Sequence, residues 1–293
     1  MPELRSLLRC PQCGSELELG ELAECVSADH RYPIVDGIPV FVAEETVAGD
    51  PQYRAQRAYF DSEFKGYERY VLENWRRGYL ERLRSARVLD NGEGPLIDVG
   101  VGGSGYTVIE AARSGRPAIG CDLSLEGLRA ARRSAEAEGV AERTLWICCS
   151  AEQLPLASGS FGSALAIAVL EHVPDDSAAL REVARVLLPG GRAWVTVPHA
   201  LRHIAPVFRG ANRRHDKRLG HLRRYEAEAL VEAARAVGLE PVEIQYTGHA
   251  IKAVQLLARG SGDRFWWWCE ERDRGRRNVR RGSMQLSVVF ARA

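Results

Sequence analysis

The chain has 293 residues, of which 45% are hydrophobic and 27% charged, and its formal net charge is +1. This length suits one large α/β domain with a small appendage, and the near-neutral charge argues against a protein that coats nucleic acid through its overall field. No stretch approaches the roughly eighteen uninterrupted apolar residues of a membrane span, and the first residues show no secretory signal. We therefore expect a cytoplasmic protein whose cysteines are reduced or bind metal.

Residues 1–42 combine short alternating strand patterns with a C-x-x-C pair and the later motif "YPIVDGIP". Together these features resemble a small zinc-ribbon module. Of the second cysteine pair in such modules only Cys25 is present, because Ala28 occupies the partner position. Structural zinc takes four tetrahedral ligands, usually thiolate or imidazole, so His30 is the natural substitute. Two alternatives stay open: zinc bound by Cys10, Cys13, Cys25 and His30, or a metal-free ribbon stabilised by the main domain.

Residues 43–94 are aromatic and have a helical pattern, with a leading helix expected over 53–83. This helix carries several aromatic residues, among them Tyr53, Tyr59, Phe60 and Tyr67.

Residues 95–293 alternate short apolar runs with segments of helical period. The runs at 95–100, 117–122, 144–149, 164–170 and 192–198 are typical of strands buried on both faces. Ser124 is expected to cap the helix that follows the second run. This alternation predicts an α/β fold, a Rossmann-like doubly wound sheet whose ligand lies at the carboxyl ends of the strands. A helical insertion is expected over 249–283.

The stretch "DVGVGGSG" follows the first strand and formally satisfies the dinucleotide pattern G-x-G-x-x-G. In a dinucleotide site the residue two before the first glycine is apolar, but here it is Asp98. A partly desolvated carboxylate needs a cationic partner, which an ammonium group on a ligand supplies. Asp122, after the second strand, can accept both hydroxyls of a ribose. Ammonium and ribose without a pyrophosphate favour S-adenosylmethionine over a nicotinamide cofactor.

Six ordered motifs between residues 55 and 250, among them "LIDVGVGGSG", "AVLEHVPD" and "ALREVARVLLPGGRAWVTVP", resemble the class I S-adenosylmethionine-dependent methyltransferases, in the small-molecule and ubiquinone group. Zinc-ribbon modules also occur ahead of bacterial members. The resemblance implies a seven-stranded sheet whose last strand, at 284–292, is antiparallel. It also implies that the cofactor is bound by the loop after the first strand, the end of the second, the adenine region and the loop after the fourth: Asp98, Gly100, Gly102, Ser104, Asp122, Leu123, Ser150, Ala151, Glu152 and Ala168. Residues 43–94 would then be a helical lid or linker, whose Tyr53, Tyr59, Phe60 and Tyr67 resemble the helix that closes over the cofactor in related enzymes. Ser104 and Ser150 depart from the usual glycine and aspartate.

Four histidines have a suitable intrinsic pKa for a general base, and they come from patterns common in this group. His172 and His199 are preferred because they follow adjacent strands near the expected methyl donor, ahead of His203 and His221. The segment Trp266–Trp268 in the insertion is expected to pack on the main domain, with a pocket wall or a homodimer contact as alternatives.

The leading interpretation is a methyltransferase acting on an oxygen, nitrogen or carbon atom of a small-molecule acceptor. An RNA methyltransferase is the first alternative, because basic segments at 202–224 and 272–281 could follow a nucleic-acid backbone. The second alternative is a non-catalytic binding protein derived from a methyltransferase, prompted by the departures at Ser104, Ser150 and Ala28.

Overall fold

The computed structural model describes residues 2–42, 47, 49–67, 72–90, 92–251 and 263–293. The N-terminal part begins with helix α1 (Pro2–Arg5) and forms an antiparallel sheet of strands β1 (Leu17–Leu19), β2 (Leu22–Cys25), β3 (Arg31–Val35) and β4 (Ile38–Pro39). The expected small N-terminal β module is therefore present. The boundary predicted after residue 42 adjoins residues outside the described part of the chain and stays a prediction.

The N-terminal module packs directly on the main domain. The Phe41 N–H donates to the Cys148 carbonyl at 2.8 Å, and Val40 forms a parallel bridge with Cys148. Leu4 and Leu8 are buried in the core that they share with the main sheet. A β module of this size buries little surface on its own, so this shared core supplies stability with or without metal.

Two helices lie within the described part of residues 50–90, where a single helix over 53–83 was expected. Helix α2 (Pro51–Phe64) is capped by Asp50, whose side chain accepts from the Gln52 and Tyr53 N–H groups. It stops before Gly66, which has a φ of 80° and cannot continue a right-handed helix. Helix α3 is Asn74–Ser85. Residues 68–71 of the expected helix lie outside the described part.

The main sheet has seven strands in the order β10-β11-β9-β8-β5-β6-β7. All neighbours are parallel except β11, which is antiparallel to both β9 and β10. This confirms the predicted fold class and the antiparallel last strand. The strands are β5 (Leu96–Val99), β6 (Ala118–Asp122), β7 (Thr144–Cys148), β8 (Phe161–Ile167), β9 (Leu187–Pro198), β10 (Leu239–Thr247) and β11 (Gln285–Arg292).

Helices cover both faces of this sheet: α4 (Tyr106–Arg113), α5 (Leu125–Ala137), α6 (Asp176–Val186), α7 (Pro206–Leu219), α8 (Ala227–Arg235) and α9 (Asp263–Arg274). Ser124 caps α5 as predicted, accepting from the Gly127 N–H at 3.0 Å. The largest fully buried side chains are Trp194, Phe161 and Phe290 of the central strands. Among the described residues no helix is long and apolar enough to cross a membrane. The expected cytoplasmic location stays a prediction.

Of the expected insertion, residues 263–274 form helix α9 and residues 275–283 form turns, while residues 252–262 lie outside the described part. Trp268 is exposed, and Arg272 lies over its ring at 4.8 Å. Trp266 and Trp267 are half-buried, and Trp266 reaches Gly78 on α3. The three tryptophans thus do not share one face, and the insertion packs on α3 through α9.

Candidate functional site

A cavity of about 950 Å³ lies at the carboxyl ends of strands β5, β6, β8 and β9. This is the position that the alternating strand and helix pattern predicts. Helices α2 and α7 supply further walls of the cavity, and its lining is mostly apolar with a small set of charged groups.

Asp98 is the last residue but one of β5, lines the cavity and is 3% exposed. Thr107 on α4 donates its hydroxyl to one carboxylate oxygen, whereas the other oxygen, Oδ1, has no hydrogen-bond partner among the described residues. Burial raises the pKa of Asp98 to about 7, which Thr107 partly opposes and the nearby Asp122 reinforces. A buried carboxylate with one unpaired oxygen is an incomplete site for a cation.

Asp122 ends the neighbouring strand β6 and is held by backbone donors. Its Oδ2 accepts from the Gly102 N–H at 2.8 Å, and its Oδ1 accepts from the Ser124 N–H at 2.8 Å. Burial raises the pKa of Asp122, and these hydrogen bonds oppose the change. Each oxygen keeps a further lone pair, so the fixed carboxylate can still accept hydroxyl groups from a ligand.

The glycine loop lets the backbone lie close to its neighbours. Gly100 has a φ of 72°, and a Cβ there would lie 2.4 Å from a methyl group of Val169. Gly105 has a φ of 57°, and its Cβ would lie 2.7 Å from the Trp146 ring. This contact explains why the third glycine stands at 105. Ser104 itself is 9% exposed and is not among the residues that line the cavity.

Helix α2 faces the cavity with one stripe of side chains. Its lining residues are Tyr53, Gln56, Arg57, Phe60 and Phe64, at spacings of three and four residues. Tyr59 is off this stripe and packs edge-on against the Phe60 ring at 5.2 Å. Of the four aromatic residues expected in the lid, Tyr53 and Phe60 thus line the cavity, whereas Tyr59 and Tyr67 do not.

The segment after β7 contributes two of the three residues expected there. Ser150 and Ala151 line the cavity, and the Ser150 hydroxyl lies 2.7 Å from the Tyr53 hydroxyl of the lid. Glu152 is not among the lining residues, because its Oε1 accepts from the Asp175 N–H at 2.5 Å, at the start of α6. Leu123, the third lining residue of this end, follows Asp122 directly.

The loop after β8 forms the other end of the cavity. It begins at Ala168, whose φ of 56° is unusual for a residue with a side chain. Glu171 is 1% exposed and lines the cavity, and its Oε2 has no hydrogen-bond partner within the described part of the chain. His172 lines the cavity beside it, and its ring centroid lies 4.7 Å from that of His221. Burial lowers the pKa of His172 to about 4, so its imidazole is neutral at pH 7.

His199 does not line the cavity, contrary to its choice as a general base. Its Nδ1 lies 2.6 Å from the Ser283 hydroxyl, and its ring stacks on His203 at 4.3 Å. His203 in turn contacts Glu226 at 2.7 Å. His199 directly follows β9, which ends at Pro198. Its side chain lies in a polar cluster with Ser283, His203 and Glu226, and not in the cavity.

Several lining residues were not singled out from the sequence. Glu171 stood within the motif "AVLEHVPD" but was not chosen, and Phe64 is one further step along the α2 stripe. Helix α7 contributes Phe208, Asn212 and His215. The spacing along α2 could have indicated Phe64, whereas which α7 side chains reach the cavity depends on the tertiary fold.

A second candidate site lies in the N-terminal module, away from the cavity. The donor atoms of Cys10, Cys13, Cys25 and His30 all lie within 4.8 Å of one another. Cys10 Sγ is 3.3 Å from His30 Nδ1, and Cys13 Sγ is 3.4 Å from Cys25 Sγ. Hydrogen bonds from Ser15 and then Cys25 lower the pKa of Cys13 to about 6. Thiolate ligands on one tetrahedral zinc lie about 3.8 Å apart, so the four residues fit that ion in chemistry and spacing.

Comparisons with known proteins agree with this geometry. Residues 97–195 match a family model described as a methyltransferase domain. The demethylmenaquinone methyltransferase of Corynebacterium glutamicum is 30% identical over 196 residues, which cover 66% of this chain and 76% of that protein. The norajmaline N-methyltransferase of Rauvolfia serpentina is 33% identical over 129 residues, 43% of this chain and 44% of that protein. The chain thus spans less than half of the length of this second relative. Other matches include a tRNA 5-carboxymethoxyuridine methyltransferase.

Solved structures show the same fold. A geranyl diphosphate C-methyltransferase from Streptomyces coelicolor superposes with a TM-score of 0.59 at 17% identity, covering 85% of this chain and 86% of that one. The match to the demethylmenaquinone enzyme, the matched domain and the sheet with its antiparallel last strand lead to one conclusion. The chain belongs to the class I S-adenosylmethionine-dependent methyltransferases.

Proposed function

We propose that the protein transfers the methyl group of S-adenosylmethionine to a small-molecule acceptor. The observation that carries this proposal is one continuous cavity. It extends from the Asp98 and Asp122 carboxylates past Ala168 to a chamber walled by α7 and the start of β11. A cofactor held at the first two carboxylates leaves the chamber for the acceptor. An apolar, partly enclosed space of this size suits a small molecule.

In this proposal each end of the cofactor has its own partners. Asp98 pairs with the ammonium group of the methionine end, beside Gly100 and Gly102, and Asp122 accepts the ribose hydroxyls. Ser150 and Ala151 border the adenine, and Ala168 borders the sulfonium. Of the two histidines preferred from the sequence, His172 faces the acceptor, whereas His199 does not line the cavity.

The small-molecule acceptor is favoured over RNA because three arginines of the basic segments are already engaged in ion pairs. Arg223 pairs with Asp176 at 3.2 Å, Arg224 with Asp216 at 2.7 Å and Arg280 with Glu226 at 2.6 Å. Arginines engaged in this way offer less charge to a phosphate backbone. Retention on immobilised tRNA tests the alternative, and strong, salt-sensitive retention would favour RNA as the acceptor.

Calorimetry with S-adenosylhomocysteine tests the cofactor part of the proposal. We expect one binding site with a micromolar or lower dissociation constant. No detectable binding at pH 7.5 would instead support the non-catalytic alternative. A positive result would be followed by transfer of labelled methyl from S-adenosylmethionine to a panel of phenols, amines and small RNAs.

Cofactor affinity should depend on pH because Asp98 has a raised pKa. Below pH 7 a growing fraction of Asp98 is protonated and cannot pair with an ammonium group, so affinity is lost as the pH falls through about 7. The dissociation constant should rise about tenfold per pH unit below that point. Calorimetry between pH 5.5 and 7.5 measures this slope, and a flat profile would contradict the assignment of Asp98.

We further propose structural zinc at Cys10, Cys13, Cys25 and His30. The described contacts bring the four side chains together, and zinc bound there would cross-link the turn at residues 10–13, the end of β2 and the residue before β3. Chelation by EDTA should then lower the melting temperature of the wild type and leave the Cys13→Ser variant unchanged. Freshly purified wild type with no zinc released by a thiol-modifying reagent would support the metal-free ribbon instead.

A further inference from the structure

The acceptor end of the cavity holds a second group of possible metal ligands. Glu171, His172 and His221 each offer one donor atom, and these atoms all lie within 4.8 Å of one another. All three residues line the cavity. Two imidazoles and one carboxylate, with open positions toward a cavity, are a recurrent ligand set for catalytic divalent ions such as zinc and iron.

Two of these side chains have a buried oxygen or nitrogen atom that could bind a metal and has no hydrogen-bond partner among the described residues. Glu171 is 1% exposed, and its Oε2 has no hydrogen-bond partner in the described ranges. The same holds for Nδ1 of His172, which is buried. Burying such atoms without a partner costs free energy, and a bound cation would recover it.

The third candidate ligand, His221, is held in place by a neighbouring acidic side chain. His221 Nδ1 lies 2.9 Å from Asp216 Oδ1, which leaves Nε2 for a ligand. When an imidazole binds a metal through one nitrogen, its other ring nitrogen is usually hydrogen-bonded to a carboxylate or a carbonyl oxygen. Asp216 is itself bonded by Arg224, through Nε at 2.7 Å and Nη2 at 2.8 Å. Glu171 and His172 come from the loop after β8, Asp216 from α7, and His221 from the segment after α7.

The charges of the surroundings also suit a divalent ion. The Asp216 carboxylate and the Arg224 guanidinium cancel each other, so an ionised Glu171 would be the net negative group of the site. Gln52 Nε2 donates to the His172 carbonyl at 2.9 Å and to the Gly220 carbonyl at 3.0 Å, which fixes the two loops that carry the ligands. One carboxylate and two neutral imidazoles would leave a bound divalent ion with a net positive charge, which attracts an anionic oxygen.

We infer that Glu171, His172 and His221 bind a divalent metal ion, and that this ion holds an acidic hydroxyl, such as a phenol or enol, of the methyl acceptor. The binding of the ion is independent of the proposed function, whereas its role in catalysis rests on it. A metal-held hydroxyl releases its proton to water at lower pH than a free one. The oxygen then attacks the methyl carbon, an O–C bond forms, and the C–S bond breaks with its electron pair left on sulfur. The products are the methyl ether, S-adenosylhomocysteine and one proton.

The test counts zinc in full-length protein after equilibrium dialysis against Zn²⁺ alone, for wild type, Glu171→Gln, His221→Gln and the matched control His215→Gln. His215 lines the same chamber but is not in the ligand group. Wild type and control should hold about one ion more per chain than the two ligand variants. Asp216→Asn should weaken binding at this site about 10- to 100-fold.

Two further measurements keep the result interpretable. Cobalt bound at this site should show visible bands without the intense near-ultraviolet absorption that thiolate ligands add, which separates it from the N-terminal site. Calorimetry with S-adenosylhomocysteine on every variant shows whether the fold and the cofactor site are intact. Equal zinc content in wild type and Glu171→Gln would overturn the inference even if cofactor binding is normal, whereas zinc binding without cofactor binding would overturn only the proposed function.

Discussion

Replacing Asp98 by Asn should weaken binding of S-adenosylmethionine and S-adenosylhomocysteine by about 100-fold or more. The substitution keeps the shape of the side chain and an oxygen that can accept from Thr107, but it removes the charge opposite the ligand ammonium. Losing one partner of a buried, hydrogen-bonded charge pair costs about 2–5 kcal/mol of binding free energy. Calorimetry measures the change directly.

The same variant should be no less stable than the wild type without ligand. Burial raises the pKa of Asp98 to about 7, so above that pH the folded protein holds an unfavourable buried charge that the amide does not carry. Asp90→Asn is the control, because Asp90 is exposed and pairs with Arg84 outside the cavity. Unchanged cofactor affinity in Asp98→Asn, or a large loss of melting temperature, would identify Asp98 as a structural residue.

The sheet, and the acidic residues at the carboxyl ends of two of its strands, were predictable because local patterns determine them. A strand buried on both faces is a continuous apolar run, and a polar residue at its carboxyl end stands out, as Asp98 and Asp122 do. Ser124 was identified as a cap for the same reason, since capping depends on a side chain and a backbone N–H only three residues apart.

Some expected site residues do not line the cavity, because their positions depend on three-dimensional packing. Tyr59 was chosen for its residue type, but helix geometry turns it away from the stripe that Phe60 and Phe64 form. Glu152 was expected at the adenine, but its carboxylate binds the N-terminal end of α6. His199 follows the right strand, but the direction of its side chain depends on Ser283, which is distant in the sequence.

The proximity of Glu171, His172 and His221 also could not be predicted from the sequence. The first two are adjacent in a motif, but His221 reaches them only because α7 crosses the carboxyl edge of the sheet and returns the chain to it. The motif "AVLEHVPD" contains no signal for His221, and the meeting of these residues at one end of the cavity follows from the tertiary fold. For this reason the acceptor end is better defined by the structure than by the sequence.

Replacing Asp273 by Ala should lower the free energy of unfolding by about 3–5 kcal/mol, the cost of leaving a buried polar network without one partner. Asp273 is 1% exposed on α9 and accepts from the Gly248 N–H at 3.0 Å and from the His249 N–H at 2.9 Å. His249 Nδ1 lies 2.9 Å from the same carboxylate, and Nε2 donates to the Val279 carbonyl at 2.7 Å. This network fixes both ends of the insertion to β10 and thereby positions Gly248 in the cavity wall.

The loss should appear as a lower urea midpoint and a melting temperature lower by about 10 °C, at roughly 2–4 °C per kcal/mol for a chain of this size. Glu271→Ala on the same helix is the matched control, because Glu271 is exposed and should change stability by no more than about 0.5 kcal/mol. Asp273→Asn keeps one accepting oxygen and should fall between the two. If Asp273→Ala and Glu271→Ala proved equally stable, the insertion would not depend on this network, and the wall that it forms beside Gly248 would need another anchor.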